Sequence, residues 1–157
     1  MYLFKNFIVI ILFLDNCNFK TMETKMFLNL AVKDLNKSIL FFTELGFSFD
    51  PKFTNDKGTC LIIGKNINVM LLAEEFFKTF TPKQICNTTT SSEMIAAISF
   101  ESREKVDEIM TAVVKAGGKE HEEPKDYGWM YQRVFFDLDG HHWEVFHMDE
   151  SQIPKME

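Results

Sequence analysis

The chain has 157 residues, of which 46% are hydrophobic and 25% charged. This composition excludes a largely disordered protein, and the length fits one compact domain or two small modules sharing a core. Its net charge is −6 with only two arginines, so no basic surface can neutralise phosphates and nucleic acid is excluded as a partner. Three cysteines without a CxxC pair favour reduced thiols in a cytoplasmic protein over a disulfide framework.

Residues 1–25 precede the first regular pattern and are interpreted as an N-terminal extension. They contain an apolar run at 7–14 that is too short to span a bilayer as a helix. Three interpretations stay open: a start assigned too early, an export signal or membrane tether formed by residues 1–21, or a genuine strand or tail. The domain that follows is expected in the cytoplasm and away from the membrane.

Residues 26–74 carry the pattern of one strand, one helix and three further strands. The apolar run Met26–Val32 predicts the first strand. Asp34 is placed to cap a helix with apolar residues at helical spacing, and Gly46 is placed to end it. Three strand-like runs separated by turn residues follow, at 47–53, 59–63 and 67–72. Residues 75–92 are then expected to be a linker or lid.

Residues 93–149 repeat this pattern. An apolar run at 94–100 predicts a strand, Ser102 is placed to cap a helix, and Gly117 is placed to end it. Three more strands are predicted at 119–123, 129–136 and 142–148, and residues 150–157 form a C-terminal tail. The helix starts, helix ends and turn glycines of the two units lie 68, 71 and 70 residues apart. The sequence therefore predicts an α+β fold of two βαβββ modules that pair curved mixed sheets around a shared cavity.

Two motifs resemble those of a known superfamily. The first unit opens with Val32-Lys-Asp-Leu35, followed by Ser38-Ile-Leu-Phe-Phe42 and Leu45-Gly46-Phe47, and the second closes with Asp137-Leu-Asp-Gly140-His-His-Trp-Glu144. Over residues 26–149 the chain resembles the vicinal-oxygen-chelate superfamily, which includes glyoxalases, bleomycin-resistance proteins and extradiol dioxygenases. The resemblance implies a small-molecule ligand and a homodimer.

The resemblance also implies a divalent metal, held by one residue from the first strand and one from the last strand of each unit. Carried over to this chain, those positions fall on Phe27, Met70, Ile95 and Glu144, of which only Glu144 can bind a metal ion. We therefore expect no metal cofactor. The alternative is a metal-dependent, lactoylglutathione lyase-like isomerase that holds Zn, Ni or Mn through His142 and Glu144.

The candidate site is an apolar cavity in which Glu144 is the catalytic residue or polar anchor. The expected ligand-binding residues are Asn29, Met70, Tyr131, Arg133 and His142. Because Tyr131 and Arg133 alternate along one strand, they share a face, and Arg133 is a possible partner of Glu144 or of an anionic substrate. The expected function is binding or modification of a small molecule, whether or not a reaction is catalysed. A further alternative is antibiotic sequestration of the bleomycin-resistance kind.

Overall fold

The computed structural model describes residues 23–154. The interpretations of residues 1–21 and the last three residues of the predicted tail lie outside this range. Within it, no helix is both long enough and apolar enough to cross a membrane.

The first module contains a four-stranded mixed sheet and one helix. Its elements are β1 Met26–Val32, α1 Leu35–Glu44, β2 Ser48–Asp50, β3 Gly58–Gly64 and β4 Ile67–Ala73. The strand order is β1-β4-β3-β2, in which β1 runs parallel to β4 and the other neighbours are antiparallel. The first and last strands of the module are therefore neighbours, and α1 connects β1 to the far edge of the sheet.

A connection that begins with regular structure joins the modules. The short helix α2 (Glu74–Phe77) and a 3-10 turn (Lys78–Phe80) occupy the start of the predicted linker. Residues 81–94 contain no helix or strand, and we call them the connecting segment.

The second module repeats the topology of the first. Its elements are β5 Ile95–Ser99, α3 Arg103–Lys115, β6 Lys119–Glu120, β7 Lys125–Asp126, β8 Met130–Phe136 and β9 His142–Met148. The strand order is β5-β9-β8-β6, β7 also pairs with β8, and β5 runs parallel to β9 as β1 does to β4. The predicted α+β fold of two βαβββ modules is confirmed.

Two predicted strands are shorter in the structure, and a proline lies at each interruption. The run at 47–53 pairs only over Ser48–Asp50, because Pro51 lacks the N–H that a strand needs and begins a 3-10 turn. The run at 119–123 pairs only over Lys119–Glu120, and a second short strand follows Pro124.

Both predicted helix caps are confirmed. The carboxylate of Asp34 accepts a hydrogen bond from the Lys37 N–H (3.1 Å), and the hydroxyl of Ser102 accepts one from the Lys105 N–H (3.2 Å). Gly46 and Gly117 follow the two helices with φ values of 88° and 95°, a conformation that favours glycine. Both helices therefore begin and end where local sequence predicts.

The two modules pack against each other through their helix-bearing faces. The ring of Phe42 on α1 meets Trp143 on β9 edge-on at 5.3 Å between centroids, and Phe41 lies 6.3 Å from Phe135 on β8. Gly118 belongs to this contact, because a Cβ there would lie 2.9 Å from Cε2 of Phe41 and 3.1 Å from the carbonyl oxygen of Phe136. One continuous core therefore spans both modules.

Each sheet has a second, open face that the core does not cover. Apolar side chains on the edge strands β1 and β5 are exposed there, 42% for Phe27 and 53% for Ile95. The two sheets stay separate and do not close into one barrel within residues 23–154. The two modules share a packed core. The cavity that the sequence predicts between their sheets would lie on the open faces instead, and it stays a prediction.

Candidate functional site

Glu144 lies on the open face of the second sheet. Successive side chains of β9 alternate between faces, and Trp143 and Val145 are buried in the core, so Glu144 points to the opposite side. Its cross-strand neighbours are Ala97 on β5 and Val134 on β8. The half-buried carboxylate therefore lies among small and apolar side chains.

The carboxylate of Glu144 has no hydrogen-bond or ion-pair partner among residues 23–154. The charge of Glu144 acts on Lys125, but the ammonium group of Lys125 donates its hydrogen bond to Glu122 (2.6 Å). The pKa of Lys125 is raised, mainly by the hydrogen bond that its ammonium group donates to Glu122 and to a smaller extent by the charge of Glu144. No contact within the described residues therefore occupies the carboxylate of Glu144.

His142 shares the open face with Glu144. Its ring packs edge-on against Phe136 (5.3 Å between centroids) and lies 6.2 Å from the ring of His121. The Nε2 atom of His142 is buried and has no hydrogen-bond partner in the part of the chain that the structure describes. Such an orphaned group costs about 1–3 kcal/mol, and a ligand or solvent contact that satisfied it would recover part of that energy.

Tyr131 and Arg133 lie on the helix-bearing face, away from His142 and Glu144. The Tyr131 hydroxyl and the Arg133 guanidinium both donate to the carboxylate of Asp107 on α3, at 2.8 and 2.7 Å. Arg133 also donates two hydrogen bonds to Glu120 on β6. These contacts hold α3 on its sheet. They occupy the polar groups of Tyr131 and Arg133, which were predicted from the sequence to bind a ligand.

Burial and hydrogen bonds to carboxylates together set the pKa values of Arg133 and Tyr131. Burial by itself would lower the pKa of Arg133, but its hydrogen bonds to Glu120 and Asp107 outweigh burial and raise it. Burial raises the pKa of Tyr131, and the bond to Asp107 raises it further. Arg133 and Tyr131 thus remain a cation and a neutral phenol at neutral pH.

Asn29 and Met70 lie on the open face of the first sheet, as cross-strand neighbours on β1 and β4. The structure therefore brings together Asn29 with Met70 and, separately, His142 with Glu144. No hydrogen bond or ion pair joins the two pairs within the described range, and the modules meet through their other faces.

The four positions that the resemblance assigns to metal ligands occupy equivalent places in the two sheets. Phe27 is paired with Asn68, two residues before Met70, and Ile95 is paired with His142, two residues before Glu144. The strand register therefore agrees, at each position, with the four places that the resemblance assigns to metal ligands. Three of these side chains offer no oxygen or nitrogen to a hard cation, and residues 23–154 contain no cluster of three His, Cys, Asp or Glu side chains arranged to hold one. The residues present do not fit the metal.

The turn between β8 and β9 joins three parts of the chain, a role that the sequence reasoning missed. Asp139 accepts hydrogen bonds from the Lys33 N–H (3.0 Å) and the Ser38 hydroxyl (3.2 Å), both in the first module. Asp137 accepts from the Trp143 indole N–H and from the backbone of the turn itself. The only available signal was a cluster of aspartates around Gly140, which is also what an ordinary tight turn shows.

His141, in the same turn, connects the first module to the connecting segment. Its Nδ1 atom lies 2.5 Å from the Glu93 carboxylate, and its Nε2 atom lies 2.9 Å from the carbonyl oxygen of Ala31. The side chain is almost fully buried, with 4% of its surface exposed. Sequence reasoning missed His141 and Glu93 as partners.

Of the cavities beside these residues, three lie along the connecting segment or on the open face of the first sheet. One of about 230 Å³ lies between the connecting segment and the sheet, and it is lined by Met94, Phe136, His142 and the run 88–93. A second, of about 420 Å³, lies between Lys33, α2 and the connecting segment. A third, of about 210 Å³, lies on the open face of the first sheet beside Phe27. The first is next to the open face that carries Glu144.

Comparisons with known proteins agree with this architecture. A hypothetical protein from S. aureus is 30% identical in sequence, with a TM-score of 0.68 over 78% of this chain and 92% of its own. A glyoxalase/bleomycin resistance protein/dioxygenase family enzyme from Burkholderia phytofirmans superposes with a TM-score of 0.65 at 15% identity, over 78% of this chain and 96% of its own. A glyoxalase-related enzyme from Fulvimarina pelagi superposes with a TM-score of 0.68 at 19% identity, over 80% and 88%.

A search of curated proteins finds no significant match to the sequence. The sequence profile of the Glyoxalase/Bleomycin resistance protein/Dioxygenase superfamily matches residues 26–145, which is most of the chain and covers nearly all of both modules. The profile, the S. aureus relative and the duplicated βαβββ topology agree, and the chain belongs to the Glyoxalase/Bleomycin resistance protein/Dioxygenase superfamily.

Proposed function

We propose that the protein binds a small molecule on the open face of its second sheet, with Glu144 as the polar anchor and without a metal ion. The observation that carries the proposal is the Glu144 carboxylate, half-buried among apolar neighbours and without a partner in residues 23–154. A carboxylate in such surroundings gains free energy from a group that brings a positive charge or an N–H donor.

The surroundings of Glu144 favour a cationic or hydrogen-bond-donating ligand with an apolar body. His142 and Phe146 flank it along the strand, and Ala97 flanks it across the sheet. These three side chains are half-buried or exposed, so the apolar part of a ligand has surfaces on which to pack. The chain carries a net charge of −6, which attracts cations and repels anions. Sequestration of a cationic drug is one form that this function takes.

The isomerase alternative depends on a metal ion. Catalytic zinc sites commonly use three protein ligands, and His142 and Glu144 supply two at most. Because Phe27, Met70 and Ile95 occupy the other expected positions, the side chains at the four expected positions support no step through a metal ion.

A second copy of the chain is the proposed cover for the open faces. The edge strands β1 and β5 expose Phe27 and Ile95, and exposed apolar side chains on a sheet edge are typical of an interface. Sedimentation velocity tests this: the wild type should sediment as a dimer and Ile95→Lys should shift it towards monomer. Val114→Lys is the matched control, because Val114 is similarly exposed (56%) but lies on α3. A monomeric wild type contradicts the dimer.

The binding proposal is tested with matched pairs of aryl amines and aryl carboxylates of the same size. Calorimetric titration should find amines that bind more tightly than their carboxylate counterparts. Glu144→Gln keeps the volume of the side chain but removes its charge, so amine affinity should fall about ten- to hundredfold. Glu123→Gln, at an exposed position, serves as the control and should bind as the wild type does. Unchanged amine affinity in Glu144→Gln, or a preference for carboxylates, contradicts the proposal.

A further inference from the structure

The short strand β7 borders the open face that carries Glu144. It pairs with β8, and β8 pairs with β9, so the three strands form one continuous surface. Lys125 on β7 is paired with Gln132, and Gln132 is paired with Phe146, two residues after Glu144 on β9. Directly opposed residues of antiparallel strands point to the same face, as do residues two apart along one strand. Lys125 therefore lies on the same face as Glu144.

The contacts of the next residue, Asp126, agree with this orientation of β7. Its carboxylate accepts two hydrogen bonds from the guanidinium of Arg103 at the start of α3, and the same guanidinium donates to the carbonyl oxygen of Gly128. Asp126 thus points to the helix-bearing face, and Lys125, one residue earlier, points to the open one. The bonds from Arg103 also hold β7 in place and so position Lys125.

The ammonium group of Lys125 is accessible to a ligand. The charge of Glu144 acts on it, while its hydrogen bond goes to Glu122, three residues earlier. The Lys125 side chain is 45% exposed and that of Glu122 35%. An ion pair that solvent reaches to this extent contributes little to stability, because water screens it and two long side chains must be ordered. An anionic group of a ligand can therefore replace Glu122 at little cost.

Lys125 and Glu144 are separated by a distance that one small molecule can span. Their backbones lie two strand spacings apart across the sheet and two residues apart along it, which is roughly 12 Å in all. Both side chains are long enough to lean towards each other. The half-buried side chains of Gln132 and Phe146 lie beside the line that joins them. A ligand with opposite charges at the two ends of one aromatic ring can therefore contact both residues.

We propose that Lys125 is a second anchor of this site and that the ligand is a zwitterion with an apolar body. Its cationic group binds Glu144, and its anionic group displaces Glu122 from Lys125. The apolar body packs on Phe146. The inference rests on the proposed role of Glu144 and adds the second charge that the ligand carries. A purely cationic ligand leaves Lys125 unused, and a purely anionic one meets the net negative charge of the chain.

Calorimetric titration at neutral pH with para-(aminomethyl)benzoate and para-(aminomethyl)benzamide tests the second anchor. The two probes share the ring and the ammonium group and differ in whether the far end is an anion or a neutral amide. The wild type should bind the benzoate about three- to tenfold more tightly, as expected for an exposed charge-assisted contact. Equal affinities, tighter binding of the benzamide, or no binding of the benzoate would overturn the inference.

A double variant, Lys125→Met with Glu122→Gln, removes the ion pair and leaves the net charge of the chain unchanged. It should lose the preference for the benzoate. Lys105→Met with Glu108→Gln is the matched control, because this pair has the same spacing in sequence and similar exposure of the lysine (39%) but lies on α3. The control should keep the preference. A preference that survives in the first variant, or is lost in the control, contradicts the role of Lys125.

Two further variants separate this inference from its neighbours. Lys119 lies on the same face, paired with Phe136 on β8, so Lys119→Met should keep the preference, and its loss there would overturn the assignment to Lys125. Glu144→Gln should weaken binding of both probes. If it does so while the wild type binds the two probes equally, the role of Glu144 stands and that of Lys125 fails. Unchanged affinities in Glu144→Gln would remove the proposed function, and this inference with it.

Discussion

Arg133 and Glu144 lie on adjacent strands of one sheet and point to opposite faces of it. Arg133 is paired in register with the buried Val145, and its guanidinium binds Asp107 on α3. Glu144 is paired with Val134 on the other face and has no partner within residues 23–154. The two charges therefore differ in their contacts: Arg133 holds α3 on its sheet, whereas Glu144 makes no hydrogen bond or ion pair within the described residues.

Glu144→Gln should leave stability nearly unchanged. Because Arg133 is satisfied by Asp107 and Glu120, the substitution orphans no buried partner, and we expect a change within about 0.5 kcal/mol. Urea denaturation measures it. A loss of more than about 1 kcal/mol would mean that the carboxylate has a structural role.

Arg133→Met should destabilise the protein by about 2–3 kcal/mol, because it leaves the carboxylates of Asp107 and Glu120 without their shared cation. Arg103→Met is the comparison: the Arg103–Asp126 pair is more exposed, so we expect at most about 1 kcal/mol. Urea denaturation of both variants beside the wild type decides between them. Equal losses of stability in the two variants would show that the burial of Arg133 does not determine how much its ion pairs contribute to stability.

Asp139→Ala should cost about 1–3 kcal/mol, because the Lys33 N–H and the Ser38 hydroxyl lose their acceptor at the junction of the modules. Asp139→Asn should cost less, since the amide oxygen can still accept from Lys33 and the amide nitrogen can donate to the Ser38 oxygen. Thermal melts of the two variants should rank in that order. Equal losses in the two variants would mean that the negative charge, and not the acceptor, is what the turn requires.

Cys60 should react with maleimide more slowly than Cys86 at neutral pH. Cys60 is buried, with 1% of its surface exposed, and burial raises the pKa of its thiol, with the charge of Asp50 adding to the shift. Cys86 is only half-buried in the connecting segment. Peptide mapping after timed labelling distinguishes the two sites, and faster labelling of Cys60 would show that β3 opens more readily than the connecting segment.

Purified protein should hold no stoichiometric divalent metal after exposure to Zn²⁺, Ni²⁺ or Mn²⁺. Phe27, Met70 and Ile95 occupy three of the four expected ligand positions and offer no hard donor atom. Elemental analysis after removal of free metal is the measurement. One tightly bound ion per chain would contradict this prediction and favour the isomerase alternative.

Much of the fold could be predicted because its signals are local. The caps at Asp34 and Ser102 need partners only three residues away, and the helix stops need only a glycine that tolerates a positive φ. The repeat of these signals at nearly constant spacing identified the duplicated module. Pro51 and Pro124 interrupt two of the predicted strands. Both prolines are visible in the sequence, but a prediction from hydrophobic pattern alone does not take them into account.

The site was only partly predictable, because its partners are distant in sequence. Alternation showed that Tyr131 and Arg133 share a face, but only Asp107, 26 residues from Arg133, determines which face it is. His141 binds Glu93, 48 residues away, and Ala31, 110 residues away, so no local pattern identifies either contact. The sequence by itself determined the elements, the duplication and the lack of hard donor atoms at three of the four expected ligand positions, since backbone geometry and side-chain donors are properties of single residues and their near neighbours. Only the tertiary structure decided which faces are open, because burial of each face depends on the module packed against it.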